Sequence, residues 1–136
     1  MKHISELNKE ILLSVKPKFT YNHHQAYYAE IPLAFDIETT STYINENKFA
    51  NMYVWAFGLA DSVYYGRTWQ ELIEFTELLS ETWELTKYAR AIIYIHNLGY
   101  EFQFMRKWFT WEKVFAVDER KPLKALTESG IDVRDS

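Results

Sequence analysis

Apolar and polar residues follow two periods along the chain, one of two residues and one of about 3.6 residues. Compact apolar or aromatic runs predict strands at residues 31–39, 52–59, 63–65, 91–95, 113–117, 124–127 and 131–134. Apolar residues at helical spacing predict three helices, which run from about residue 5 to 15, from 69 to 83 and from 101 to 109. Residues 18–30 and 40–51 carry neither period, so we expect an irregular lead-in and a polar loop there.

The order of the elements after residue 30 is β-β-β-α-β-α-β, which predicts an α/β fold with a mixed sheet flanked by helices. Thr68 and Glu71 form a capping-box pair at the start of the longest helix. The run from Ala91 to Ile95 is continuously apolar, as in a central strand that is buried on both faces. We divide the chain into an N-terminal helix and lead-in at residues 1–30 and a main domain at residues 31–136. Because no final helix precedes the end of the chain, we expect this domain to be incomplete at its C-terminus.

Composition and charge narrow the classes of protein to which the chain can belong. Hydrophobic residues make up 48% of the 136 residues, enough for a core, and cysteine is absent, which excludes disulfides and thiolate metal sites. No apolar run approaches the roughly 18 residues that span a bilayer, so we expect no membrane and a cytoplasmic protein. The net charge of −4 argues against holding nucleic acid by charge alone, although an acidic site can receive phosphates through divalent cations. Basic residues outnumber acidic ones six to three between Arg106 and Lys124, a shift that an ordinary solvated face also explains.

Two acids, Asp36 and Glu38, interrupt the first apolar strand after residue 30. Because they are two residues apart, both side chains point to the same face of the strand. Two carboxylates within an apolar strand are costly unless they are compensated, and the flanking sequence supplies no lysine or arginine. A pair of hard divalent cations, in the arrangement that serves phosphodiester hydrolysis, would compensate them. The alternative is that the strand ends at Phe35 and that both acids are solvated at its edge.

A second candidate segment, His96 to Glu101, follows the predicted central strand. Asn97 offers an amide for hydrogen bonding, Tyr100 and Phe104 offer rings on which a base can stack, and Glu101 can supply another carboxylate. The alternative is purely structural, with Asn97 as a helix N-cap, Glu101 as a favourable charge near the helix dipole and both rings in the core. A His23-His24 pair is a weak metal candidate, because no third ligand stands at metal-site spacing.

These segments resemble the exonuclease motifs of family-B DNA polymerases. Phe35-Asp36-Ile37-Glu38-Thr39-Thr40 is similar to the first motif, D-x-E-T/S, and Asn97-Leu98-Gly99-Tyr100-Glu101 to the second, N-x-x-F/Y-D. Between them, Tyr53-Val54-Trp55-Ala56-Phe57-Gly58 resembles the strand that follows the first motif in phi29-like, protein-primed phage polymerases. Asp135-Ser136 resembles the start of their Asp-Ser-Leu stretch. The order and spacing match from about residue 33 onward.

The resemblance implies a ribonuclease-H-like (DnaQ-like) exonuclease fold and a 3′–5′ proofreading activity on single-stranded DNA. It implies that Asp36, Glu38 and Glu101 are the catalytic metal ligands of two Mg²⁺ or Mn²⁺ ions. It also implies contacts to the 3′ end of the DNA from a further set of residues, namely Thr39, His96, Asn97, Tyr100, Phe104 and Ser136. The protein would be phage- or prophage-encoded and would act in the host cytoplasm, joined to the remainder of a polymerase chain or to a protein partner.

Two departures from the family pattern bear on activity. Glu101 stands where the second motif has aspartate, and its side chain is one methylene longer. The third motif, Y-x-x-x-D, is not present, nor is any polymerase motif, so the resemblance implies reduced activity for the isolated chain. A different function therefore also fits the sequence: a catalytically inactive module of the same fold that inhibits or regulates a nucleic-acid enzyme or a defence protein. An unrelated α/β domain with ordinary surface acids is the third possibility.

Overall fold

The computed structural model describes residues 1–22, 26–116 and 122–136. The helices are α1 (Lys9–Ser14), α2 (Trp69–Trp83) and α3 (Leu98–Met105), and a single 3-10 turn spans Ile4–Glu6. The strands are β1 (Lys2–His3), β2 (Phe19–Tyr21), β3 (Tyr27–Ala29), β4 (Leu33–Ile44), β5 (Asn47–Leu59), β6 (Ser62–Gly66), β7 (Ala89–Ile95), β8 (Trp111–Ala116), β9 (Pro122–Thr127) and β10 (Ile131–Asp135). None of the described helices is long and apolar enough to cross a bilayer.

One mixed sheet organises the described residues, with the strand order β1-β6-β5-β4-β7-β10-β9-β8. Hairpins pair β4 with β5, β5 with β6, β8 with β9 and β9 with β10 in antiparallel fashion. The central strand β7 runs parallel to β4 on one side and to β10 on the other. The predicted mixed sheet with helices is therefore observed, and β7 lies between β4 and β10 at its centre, as the sequence predicts. The expected burial of β7 on both faces is wrong, because its buried residues alternate with Ile92, which is partly exposed, and Tyr94, which is 46% exposed.

The longest helix, α2, covers one face of the sheet and follows its local sequence signals. Thr68 accepts a hydrogen bond from the backbone N–H of Glu71, whose carboxylate accepts one from the N–H of Thr68, and this confirms the predicted capping box. Apolar side chains of α2 are buried against aromatic side chains of β5, where Phe75 meets Phe57 edge-on at 4.6 Å between ring centroids. The indole N–H of Trp83 donates to the carbonyl of Leu12, which attaches α1 to the end of α2.

Two segments predicted to lack regular structure form strands. The expected polar loop at 40–51 is wrong, because β4 continues to Ile44, β5 begins at Asn47, and only Asn45 and Glu46 form the turn. Both turn residues have positive φ, 50° and 68°, as a two-residue hairpin with the twist of a sheet requires. The expected lead-in at 18–30 contains β2 and β3, and β3 pairs with the start of β7.

Helix boundaries also differ from those that the spacing predicts. The last helix spans residues 98–105 instead of 101–109, so Met105 is buried while Trp108 lies 39% exposed beyond the helix. Near the N-terminus the α-helix begins at Lys9 instead of near residue 5, after Asn8, whose side chain accepts a hydrogen bond from the backbone N–H of Ile11. Residues 1–22 pack on the remainder of the chain, because β1 pairs with β6 and Leu12 is fully buried. His23 and His24 lie outside the described residues, as does Val117 at the end of a predicted strand.

The turn between β9 and β10 provides a stability test. Gly130 has φ +88°, and a Cβ there would lie 2.6 Å from the Thr86 carbonyl oxygen, which is backbone and cannot move aside alone. We expect Gly130→Ala to lower the free energy of unfolding by about 2–3 kcal/mol, measured by urea titration. Gly58→Ala is the matched control, since its Cβ would meet Ala34 at an ordinary 3.7 Å. Equal effects of the two substitutions would contradict this account of the turn.

Candidate functional site

Asp36 and Glu38 lie on the same face of β4, as their spacing predicts. Leu33, Phe35 and Ile37 alternate with them and are buried in the core, whereas both acids are exposed. The interpretation that these two carboxylates are buried within an apolar strand is therefore wrong. The apolar residues of β4 occupy one face only, and the acids occupy the other. No lysine or arginine of the described residues forms an ion pair with either acid.

The buried carboxylate of this region belongs to Glu101. Strand β7 ends at Ile95, which pairs with Phe35, so the edge of β4 beyond that point is open to α3. Helix α3 begins at Leu98 and places Glu101 there, where its carboxyl forms hydrogen bonds with the Ile37 amide and the Asp36 side chain. Only 4% of Glu101 is exposed. The structure thus brings together the acids of the two sequence motifs.

Burial, followed by the negative charges of Asp36 and Glu38, raises the pKa of Glu101 to about 8, against the lowering effect of the Ile37 amide. At neutral pH the carboxyl of Glu101 is therefore largely protonated and donates a hydrogen bond to Asp36. Its Oε2 atom has no hydrogen-bond partner in the described structure. Asp132, another buried acid, differs sharply, because Arg134 donates two hydrogen bonds of 3.1 Å to it. Glu101 is thus a buried acid without a compensating cation.

The carboxylates of this region form an incomplete set of metal ligands. In residues 1–22, 26–116 and 122–136, no three histidine, aspartate or glutamate side chains are arranged so that they could hold a metal ion as they stand. The chemistry of the site nevertheless suits a hard cation, since three carboxylates lie together and one buried oxygen is without a partner. Asp36, Glu38 and Glu101 are the residues that would hold such a cation.

Thr39 and Tyr100 link the two motifs through a second contact. The Thr39 Oγ1 and Tyr100 Oη atoms are 3.1 Å apart and share a hydrogen bond, and the β4–β5 register shifts between Glu38 and Thr39. The Tyr100 ring meets the Phe104 ring edge-on at 5.2 Å and is itself 39% exposed. The core role proposed as an alternative for Tyr100 is therefore wrong. Its ring is available to a ligand beside the three acids.

The remaining predicted site residues lie around the start of α3. His96 and Asn97 are exposed, and Asn97 is the N-cap residue of α3 by position, as the alternative interpretation predicts, with φ 59°. Its side chain makes no capping hydrogen bond, and the Leu98 N–H donates instead to the carboxylate of Asp135 at 3.0 Å. The Ser136 N–H donates to the Ile95 carbonyl at the end of β7. The only sequence signal for Asp135 is the Asp-Ser pair of the resemblance.

We call the cluster formed by Asp36, Glu38 and Glu101 with Thr39 and Tyr100 the acidic site.

Known proteins provide no relative of this chain. No protein-family model, no curated protein and no solved structure matches the chain.

Proposed function

We propose that this chain is the 3′–5′ exonuclease portion of a phage-type family-B DNA polymerase, with a ribonuclease-H-like fold. Its reaction is the hydrolysis of the 3′-terminal phosphodiester of single-stranded DNA in the host cytoplasm. The observation that carries the proposal is the contact between the two motif segments, in which Glu101 of α3 is buried against Asp36 of β4. A carboxyl group that is buried beside two other acids, without a lysine or arginine, suits a site that functions with divalent cations.

Each residue of the acidic site has a role in this reaction. Asp36, Glu38 and Glu101 would hold two Mg²⁺ or Mn²⁺ ions, whose chemistry would be to activate a water and to stabilise the charge on the leaving 3′ oxygen. As a ligand, Glu101 would be ionised and would release its proton to solvent. Tyr100 stacks on the terminal base, while its hydrogen bond to Thr39 fixes the ring beside the scissile bond. We infer further contacts to the single strand from His96, Asn97, Phe104 and Ser136.

The direct test is release of nucleotides from a 3′-labelled single-stranded oligonucleotide in Mn²⁺, in Mg²⁺ and in EDTA. We expect release that requires the cation and that stops when EDTA is added. Thermal melting with and without Mn²⁺ is measured in parallel, because a cation that binds only the folded chain raises its melting temperature by mass action. Absence of both release and a melting shift would contradict the proposal.

A second function is favoured by one observation. The described residues contain no group that is arranged to hold a metal ion as it stands, and the carboxyl of Glu101, whose pKa is raised, is hydrogen-bonded to Asp36. A module that inhibits or regulates a nucleic-acid enzyme or a defence protein by binding to it does not need a complete set of metal ligands. It predicts that nucleotide release is absent even where Mn²⁺ raises the melting temperature.

The Tyr100 ring gives a prediction that does not depend on catalysis. Base stacking on an aromatic side chain contributes roughly 1–3 kcal/mol, so Tyr100→Ala should weaken binding of a single-stranded oligonucleotide by about tenfold. Tyr100→Phe keeps the ring and loses only the bond to Thr39, and we expect a smaller effect. Tyr88→Ala, which removes an exposed ring before the start of β7, is the control. Fluorescence anisotropy measures the three affinities, and an unchanged affinity for Tyr100→Ala would remove this ring from the groove.

A further inference from the structure

A polar cavity of about 300 Å³ opens beside the acidic site. It lies between β5, the start of α2 and the end of α3. The residues that line it are Ala50, Asn51, Met52, Trp69, Gln103, Phe104, Arg106 and Lys107. Its volume is at the lower end of the range of small-ligand pockets, roughly 300–1,000 Å³.

The cavity is continuous with the acidic site along two elements. On α3, Phe104 lines the cavity and contacts Tyr100, which is bonded to Thr39. On the sheet, Met52 lines the cavity and is the β-ladder partner of Thr39. A ligand that stacks on Tyr100 can therefore extend past Phe104 into the cavity without leaving the protein surface.

The charge of the cavity is opposite to that of the acidic site. Arg106 and Lys107 are exposed at its rim, and neither forms an ion pair with any acid of the described residues. The Lys107 ammonium lies 5.5 Å from the centre of the Trp108 ring, which stacks on Trp69 at 6.0 Å and 14°. These aromatic side chains hold the rim in place and leave the cationic groups open to solvent.

We propose that this cavity binds the nucleotides immediately 5′ of the terminal one, with Arg106 and Lys107 contacting their phosphates and Phe104 and Trp69 facing their bases. The inference rests on the proposed function, because it places the 3′-terminal nucleotide in the acidic site. The positive charges of Arg106 and Lys107 at the rim of the cavity attract the phosphates of DNA locally, although the net charge of the protein is negative. They also set the direction of the strand, with the backbone phosphates at the basic rim and the scissile phosphate among the carboxylates.

The experiment measures binding of 5′-fluorescein oligothymidylates of two and six nucleotides by anisotropy, in EDTA so that no cation-dependent cleavage occurs. We expect the hexanucleotide to bind more tightly than the dinucleotide to the unaltered chain. The double variant R106A/K107A should lose roughly tenfold in affinity for the hexanucleotide and little for the dinucleotide. The slope of log affinity against log salt concentration should decrease by about 1.4, which corresponds to two single-strand phosphate contacts.

Two further variants make the interpretation specific. K9A/K18A removes the same amount of charge elsewhere on the chain. Lys9 begins α1, which packs on the Trp83 end of α2, and Lys18 precedes β2. This variant should leave the affinities for both oligonucleotides unchanged. R106K/K107R keeps the charges and should bind like the unaltered chain. An equal affinity of the unaltered chain for the two oligonucleotides, or an unchanged affinity of R106A/K107A, would overturn the cavity proposal. Absence of Mn²⁺-dependent nucleotide release from a chain that passes these binding tests would instead overturn the exonuclease assignment and leave the DNA site intact.

Discussion

Asp36→Ala is expected to reduce Mn²⁺-dependent nucleotide release by at least about a thousandfold, equivalent to roughly 4 kcal/mol of transition-state stabilisation. Asp36 is the acid that contacts Glu101, so its removal takes away one proposed metal ligand and also the hydrogen-bond partner of another. The same reduction is expected for Glu38→Ala, because the two carboxylates share one face of β4. Initial rates of nucleotide release by this chain are the measurement.

The fold should survive both substitutions. Asp36 and Glu38 are exposed and contribute nothing to the apolar face of β4, so the free energy of unfolding by urea in EDTA should change by less than about 1 kcal/mol. Asp36→Asn, which keeps the shape and removes the charge, should be as inactive as Asp36→Ala. Asp61→Ala removes an exposed acid from the turn between β5 and β6 and serves as the control. Retained activity in Asp36→Ala would place the cations elsewhere, and unfolding would show that the acid is structural.

Local signals were sufficient to predict the elements whose ends are specified by a few neighbouring residues. The start of α2 depends on Thr68 and Glu71, which are three residues apart and satisfy each other's hydrogen bonds, so its sequence predicts its boundary. The pairing of β5 with β6 around Ala60 is specified in the same way, by two apolar runs and a short turn. In such cases the interactions that specify the element are made by residues only a few positions apart in the sequence.

The outer half of the β4–β5 hairpin, residues 40–51, was predicted to be a loop because its strands do not form around an apolar face. The side chains that the structure describes between Thr40 and Asn51 are exposed, so an alternation of apolar and polar residues is not needed to form this part of the hairpin. What forms this part is antiparallel pairing from Thr39 with Met52 to Ile44 with Asn47. The turn at Asn45 and Glu46 lacks the glycine that usually marks two-residue hairpins. A polar strand of this kind cannot be distinguished from a loop by hydrophobicity.

The composition of the acidic site could be predicted, but its burial could not. The motifs place Asp36, Glu38 and Glu101 in one site and add Thr39 and Tyr100, and the structure brings these five residues together. The apolar run around the strand acids predicts their burial, whereas the structure buries the helix acid. That difference arises because α3 begins three residues earlier than its apolar spacing predicts and crosses the open edge of β4, which depends on the length of β7.

Glu101→Gln is expected to change the pH dependence of stability in the metal-free protein. The folded-state pKa of Glu101 is raised from its ordinary 4.5 to about 8, so its contribution to stability is fully present below pH 4.5 and is lost as the pH rises towards 8. Between pH 5 and pH 8 this loss is on the order of 3 kcal/mol in the unaltered chain. Glu101→Gln carries no titrating proton, and its amide can still donate a hydrogen bond to Asp36. Urea unfolding in EDTA should show similar stabilities at pH 5 and a more stable glutamine variant at pH 8.

Divalent cations are expected to make the unaltered chain more stable than Glu101→Gln at pH 8. This outcome distinguishes a metal site from a carboxyl group that is buried without binding a metal. At pH 8 a cation binds the ionised Glu101 of the unaltered chain and stabilises its folded state by mass action, whereas Glu101→Gln lacks that ligand. We therefore expect Mn²⁺ to raise the melting temperature of the unaltered chain more than that of the variant, and to raise it more at pH 8 than at pH 6. Glu74→Gln, on the exposed side of α2, controls for charge alone. A stability difference between the unaltered chain and Glu101→Gln that is the same at pH 5 and pH 8 would show that Glu101 titrates normally, and its buried carboxyl would then no longer support a cation site.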